Sequence, residues 1–385
     1  MKSNVIFVSA GEISGDIHAS DLMRELRKQK PDLKFVGLGG KNMISAGLIS
    51  IAEDVSTYST VGLVDSLRFY FKKLFLFRKA VKYIKENRAN LKAILLVDNQ
   101  GFNVPLAKAS KKLGLYVIYY FPPHVSVWGE WNASVLDKNV DLILVPLYSD
   151  YLTFKKYTKK AIFTGHPLLD KVCPQKDSME WKRKEGLNRK KYLVMLMPGS
   201  RYQEIENLLD PMLEASRILS QQYDCQIVLA ISHSKFKKII DDTIKKKNLK
   251  KEVHIISGNI YQAMNASDVI ILSSGTASLE AVLLKKPPVI CYKISPTSFF
   301  IGKFLVKNKL IGLPNIILNK KIFPELLQKE FNPERIVREA LYFLKLPRNK
   351  RSEYNKYYEK VKGRLGSKGV IEKVATIILE KIGNG

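Results

Sequence analysis

"DVIILSSGTASLEAVLLKKPPVICY", Asp268 to Tyr292, reads as one strand–turn–helix–strand unit. The apolar run Val269–Leu272 suits a buried strand, and Ser273-Ser274-Gly275-Thr276 supplies the turn. Helical periodicity follows, until two prolines precede a second buried strand over Pro288–Cys291. Strands joined through a helix run parallel, by a right-handed crossover, so this unit predicts an α/β fold. A helix that starts at a strand tip offers unpaired amides to a phosphate. Glu280, one turn in, is placed to accept hydrogen bonds from ribose hydroxyls. Taken alone, Ser-Gly-Thr is equally an N-cap and Glu280 a favourable first-turn acid. Together with an α/β domain ahead of it, the combination favours a nucleotide-sugar site, with Ser274, Gly275, Thr276 and Glu280 as donor-binding residues.

The same alternation extends outward in both directions. Upstream, strands are predicted at Val5–Val8, Lys34–Gly37, Ala93–Val97, Tyr116–Tyr120, Leu142–Val145 and Ala161–Phe163. A second set runs through Leu193–Met197, Gln226–Ala230, Val253–Ile256, Val269–Leu272 and Pro288–Cys291. Gly165–Ser178, with two prolines and a charged run, reads as a linker. The expected organisation is an amino-terminal Rossmann-like domain over residues 1–168 and a second over 169–347. A charged helical segment, 348–385, then returns to the first domain or to a partner subunit.

At 385 residues the chain is long enough for two cores, and 46% hydrophobic residues exclude a disordered chain. Sixty-four Lys+Arg against 36 Asp+Glu leave a formal charge of +28, which suits an anionic lipid surface, a phosphorylated substrate or nucleic acid. A solvated lysine-rich surface accounts for much of it. Cys173, Cys225 and Cys291 stand too far apart for a metal or disulfide motif, as expected in a reducing compartment. The first apolar run is too short for a signal peptide, and no stretch is long enough to span a bilayer. The five histidines show no ligand spacing. Neither a metal nor a cofactor is expected, and the protein is placed in the cytoplasm.

In open α/β sheets, ligands gather at the carboxyl ends of strands. "LMPGSRYQEIENLL", Leu196–Leu209, puts a Pro-Gly-Ser turn and Arg201, a fork-shaped cation suited to phosphate, at such an end. "LLVDNQGFNVPLAKA", Leu95–Ala109, puts Asp98 at another, either as a general base for a sugar hydroxyl or as a brace for the turn. The opening "VSAGEISGDIHAS", Val8–Ser20, carries Gly11, Glu12, Ser14, Gly15 and Asp16. Its acids would repel phosphate, so it reads as a loop toward sugar hydroxyls, with helix capping by Ser14 or Asp16 as a concurrent role. "VGLVDSLRFYFKKLFLFRKAVKYI", Val61–Ile84, interleaves Leu67, Phe71, Leu74 and Phe75 with cations, the pattern of a helix lying on an anionic bilayer. A core helix with snorkelling lysines gives the same pattern.

These stretches resemble the lipid-A-disaccharide synthase family, glycosyltransferases of the GT-B type, along nearly the whole chain. "SAGEISGD" is similar to the family's AGExSGD loop, and "GLGGKNMISAGL" to the block that follows it. "GHPLLD", "MPGSRYQEI", "SSGTASLE" and "GLPNIIL" resemble its later blocks, in order. The resemblance implies two Rossmann-like domains with parallel sheets facing a central cleft, and an inverting transfer of diacylglucosamine from UDP to diacylglucosamine 1-phosphate. It implies Asp98 as catalytic residue and Arg201, Glu280 and Asn315 in the donor site. It further implies a peripheral membrane protein at the inner face of the inner membrane, whose carboxy-terminal helices can swap in a homodimer.

Two blocks depart from the family pattern. Asp98-Asn99-Gln100-Gly101-Phe102-Asn103 stands for Asp-x-Pro-Asp-Phe-Asn, and "PPHVSVWGEWN", Pro122–Asn132, lacks the arginine of SPSVWAWR. Both fall on the presumed acceptor side. Another UDP-sugar transferase or epimerase of the same fold is the alternative. A basic nucleic-acid or membrane adaptor is disfavoured, because charge alone does not call for ordered strand-tip motifs, and no nucleic-acid partner is expected.

Overall fold

The computed structural model describes residues 4–11, 13–52, 63–173, 178–293 and 310–383, without the side chains of 63–70 and 127–128. Two units divide them. The first takes residues up to Asp170 and from Leu365 onward, and the second lies between Lys171 and Arg364.

The first unit contains β1 (Val5–Ala10), β2 (Lys34–Leu38), β3 (Leu48–Ser50), β4 (Leu91–Val97), β5 (Val117–Tyr120), β6 (Leu142–Val145) and β7 (Ala161–Phe163). Their order is β3-β2-β1-β4-β5-β6-β7, with every pairing parallel. Ala93 to Val97 are fully buried, because helices cover both faces of the sheet and leave no polar side. On one face, Leu22, Met23 and Leu26 of the helix Ile13–Gln29 pack with Val374 and Ile378 of the helix Val370–Gly383. On the other lie Leu76, Ala80 and Ile84 of the helix Leu63–Glu86, beside Leu106 and Leu136. Each such leucine or isoleucine contributes about 1.5–3 kcal/mol on burial, so packing and not helix propensity holds these segments.

The second unit repeats the plan with β8 (Tyr192–Met197), β9 (Cys225–Ala230), β10 (Val253–Ile256), β11 (Val269–Ser273), β12 (Pro288–Tyr292) and β13 (Glu325–Leu327). The order is β10-β9-β8-β11-β12-β13, again all parallel. The helices Tyr202–Gln222 and Pro333–Leu344 bury Leu208, Met212, Ile336 and Ala340 against it. Relative to its first strand, each sheet follows the doubly wound order, whose direction of winding reverses beside that strand. The reversal falls between β1 and β4 in one sheet and between β8 and β11 in the other.

Every strand read from the sequence is present, and two more complete the edges. β3 and β13 are three residues each. An edge strand needs only one partner and one buried face, so neither carries the long apolar run that marks the inner strands. The carboxy-terminal segment divides between the units. The helix Arg348–Arg364 stays in the second unit, where Tyr358 stacks on Phe323 at 5.7 Å, while Val370–Gly383 belongs to the first.

Candidate active site

At the reversal of the first sheet, β1 leads into the Gly11 loop and β4 into Asp98. Asp98 and Asn99 both adopt left-handed backbone, with φ of 54° and 49°. Two successive non-glycine residues hold this conformation only where their surroundings fix it. Here the Asp98 carbonyl accepts from Asn103 Nδ2 at 2.9 Å and from the Tyr119 hydroxyl at 2.8 Å, while its amide donates to Tyr120 O at 3.1 Å. Asn103, fully buried, also donates to the carbonyls of Ser9 and Val97 and accepts from the Ser9 hydroxyl, tying the ends of β1 and β4 together. The Asp98 carboxylate, partly exposed, is left at the strand tip, where Ser14 Oγ donates to it at 3.3 Å. A Cβ on Gly11 would meet the Asn99 amide, which would have to turn away.

At the reversal of the second sheet, β8 leads into Pro198-Gly199-Ser200-Arg201. Gly199 has φ of 130°, and a Cβ there would meet the Glu204 carboxylate. Glu204 accepts from the amides of Ser200 and Arg201 at 2.8 and 3.2 Å, and its other oxygen lies 3.4 Å from the Arg201 guanidinium. Those two amides are therefore engaged, and Arg201, paired with Glu204, keeps 44% of its side chain exposed. Beside it, β11 runs into Ser274 and Gly275, and the helix Thr276–Leu283 follows. Ser274 Oγ donates to Ile311 O at 3.0 Å, and no described residue lies within 4 Å of where a Gly275 Cβ would stand. Among the described residues nothing crowds this helix start, whose first amides have no partner within the helix. One turn on, Glu280 accepts from the Tyr261 hydroxyl at 2.9 Å. Burial raises its pKa above the ordinary glutamate value, against the Tyr261 bond and the charge of Lys171.

Strand-tip motifs at both reversals are a feature of proteins that bind ligands there, and the comparisons give them a family. A family model described as lipid-A-disaccharide synthetase matches residues 6–378. A lipid-A-disaccharide synthase of Sulfurihydrogenibium sp. (strain YO3AOP1) is 33% identical, covering 97% of each chain. Another, of Persephonella marina (strain DSM 14350 / EX-H1), is 34% identical over 97% of this chain and 98% of its own. The chain belongs to the lipid-A-disaccharide synthetase family. Solved structures share the fold at low identity. UDP-GlcNAc 2-epimerase from Neisseria meningitidis, bound to UDP-GlcNAc, superposes with a TM-score of 0.61 at 13% identity, covering 99% of both chains. HepE from Anabaena, in complex with UDP-glucose, gives 0.56 at 11%, covering 98% of this chain and 99% of its own.

In this member of the synthetase family, two of the expected site residues are held by internal hydrogen bonds. Asp16 is buried, and its carboxylate accepts from the amides of Gly40, Asn42 and Met43 and from the Asn42 side chain, at 2.8–3.1 Å. It thereby satisfies, from outside, the first amides of the helix Lys41–Ser45, whose N-cap is Gly40. Asn315 is fully buried: its amide donates to Phe323 O and Glu325 Oε1 and accepts from the amides of Ile322 and Phe323. It supports, from behind, the loop whose Ile311 carbonyl holds Ser274. A Cβ on Gly15 would stand 3.4 Å from the Asp98 side chain, in ordinary contact. Glu12 lies outside the described residues.

Asn103 and Glu204, which help orient these groups, enter the sequence reading only as members of family blocks, and Tyr119 and Tyr261 carry no local signal. On the helix Leu63–Glu86, Phe71 and Phe75 are 61% and 65% exposed and Leu74 is half-buried, while the Leu67 side chain lies outside the described residues. Among the described residues no helix is long and apolar enough to cross a membrane.

Proposed function

We propose that this chain forms lipid A disaccharide by an inverting, single-displacement transfer from a UDP-linked diacylglucosamine to a diacylglucosamine 1-phosphate. The observation that carries the reading is the family match along nearly the whole chain, with relatives named lipid-A-disaccharide synthase. Structural neighbours solved with UDP or UDP-sugars support a UDP-linked donor.

In this reading the diphosphate is held by Arg201 and by the amides at the start of the helix Thr276–Leu283. Glu280 accepts from the ribose hydroxyls, and Tyr261 fixes its orientation. Asp98 takes the proton of the acceptor's 6-hydroxyl as that oxygen attacks the anomeric carbon, whose bond to the UDP oxygen breaks with inversion. The Asp98 backbone is locked, so the carboxylate is aimed before substrate arrives. Departing UDP carries its negative charge onto Arg201 and the helix amides. The helix Leu63–Glu86 docks on an anionic bilayer, at the cytoplasmic face of the inner membrane, and delivers the acylated substrates.

UDP release from UDP-diacylglucosamine plus the phosphorylated lipid acceptor tests the reading. Release that requires both lipids supports it. Release without acceptor, or epimerisation of the donor sugar, would favour the epimerase alternative.

A further inference from the structure

A histidine–aspartate pair stands at the same end of the first sheet as Asp98 and has no part in the mechanism above. His124 lies four residues past β5, and Asp150 sits in the helix Tyr148–Phe154 that follows β6. β4, β5 and β6 are parallel neighbours in which Val97 pairs with Tyr120 and Tyr120 with Leu144, so all three strands end on one side. Asp150 is buried, with 3% of its side chain exposed, and accepts from Ser126 N at 2.9 Å, Ser126 Oγ at 2.6 Å and His124 Nδ1 at 2.7 Å. A buried carboxyl group that accepts from the ring at Nδ1 fixes the Nδ1–H tautomer. The His124 side chain is 40% exposed, and no described residue hydrogen-bonds its Nε2.

We propose that His124, clamped by Asp150, is the group that binds the phosphate of the acceptor sugar, a subsite of the first unit alone. The proposal rests on the functional reading above for the identity of that sugar. Desolvation works against a charged ring, yet the charge and hydrogen bond of Asp150 and the charge of Asp98 carry its pKa above the ordinary histidine value. Asp150 on Nδ1 thus favours the protonated ring, whose Nε2–H is a donor that suits a phosphate. Proton removal is already assigned to the neighbouring carboxylate. A phosphate approaching Asp98 and Asp150 also needs a cation between itself and those acids.

Calorimetry with two soluble probes, N-acetylglucosamine 1-phosphate and N-acetylglucosamine, tests the subsite without turnover. The whole chain should prefer the phosphorylated sugar. Replacing the ring by the neutral amide, His124→Gln, should reduce that preference roughly ten- to hundredfold, the range for one charge-assisted contact, and His124→Arg should restore part of it. In the UDP-release assay, H124Q should raise KM for the phosphorylated lipid acceptor by about tenfold or more, with kcat and donor KM little changed. An unreduced preference in H124Q, or none in the unaltered chain, overturns the proposal. So does a fall in kcat at unchanged acceptor KM, which would mark His124 as a proton carrier. If the unaltered chain releases no UDP, the functional reading fails, while the calorimetry still decides the subsite.

Discussion

Ser14 donates its hydroxyl to the Asp98 carboxylate at 3.3 Å, from the first turn of the helix that follows the Gly11 loop. The contact joins the two motifs on either side of the first sheet's reversal. Asp98→Asn should keep the fold, because Asn103 and Tyr119 grip the backbone carbonyl and not the carboxylate. Loss of the base should lower kcat by roughly 100-fold or more with UDP affinity intact. Near-normal turnover in a folded variant would remove Asp98 from the chemistry.

Asp16 predicts the opposite signature. Asp16→Ala would leave the amides of Gly40, Asn42 and Met43 without their acceptor in a buried corner. Each unmet donor costs about 1–3 kcal/mol, so a loss of about 3 kcal/mol or more is expected in urea unfolding. The UDP affinity of the folded fraction should not change. A variant as stable as the parent, with altered affinity for sugar, would return Asp16 to the substrate side.

Asp16 and Asn315 show where sequence reading stops. Strand–turn–helix units are legible because burial on both faces writes a continuous apolar run, and because Gly11 and Gly199 answer local steric demands. Whether a strand-tip polar residue faces outward or inward depends on partners far along the chain. Asp16 is satisfied by residues 40–43 and Asn315 by residues 322–325, and no local period encodes such pairings. Asp98 and Asp16 look alike as residues after a glycine-bearing turn or strand. Only the tertiary hydrogen bonds show that Asp16 is fully engaged by the fold while the Asp98 carboxylate is partly exposed. For the same reason His124 and Asp150, 26 residues apart, gave no signal as a pair.

Glu280 carries a pH dependence of definite sign. Its folded pKa is raised, chiefly by burial, so the folded chain binds more protons than the unfolded one once pH exceeds the unfolded glutamate value of about 4.3. Stability from this group therefore falls as pH rises through the window up to the folded pKa. Glu280→Gln removes the titration while keeping an acceptor for the Tyr261 hydroxyl. Urea midpoints at pH 4, 5.5 and 7 should show the variant gaining on the parent as pH rises, even as its UDP-sugar affinity weakens. A difference that stays flat with pH would mean that Glu280 is not desolvated in solution.

The exposed rings of the helix Leu63–Glu86 give the last prediction. Its inner face is anchored by Leu76, Ala80 and Ile84, and Phe77 sets its ring edge-on to Phe102 at 5.9 Å. Phe71 and Phe75 lie off that face, next to the exposed cations Lys72, Lys73, Arg78 and Lys79. Replacing both phenylalanines by serine should therefore shift stability by no more than about 0.5 kcal/mol, the usual range for surface changes. On a bilayer each ring contributes about 1.5–3 kcal/mol, and each nearby cation about 1 kcal/mol toward anionic lipid. Losing two rings should thus weaken partition onto anionic vesicles by roughly 100-fold or more, read by co-sedimentation. Salt should weaken the remainder further, because only the cations are left to hold it. Activity on long-chain lipid should fall far more than activity on a short-chain soluble analogue, since only the former is presented by the membrane. A folded double variant that still sediments with vesicles, or that loses both activities equally, would show that these rings serve something other than the bilayer.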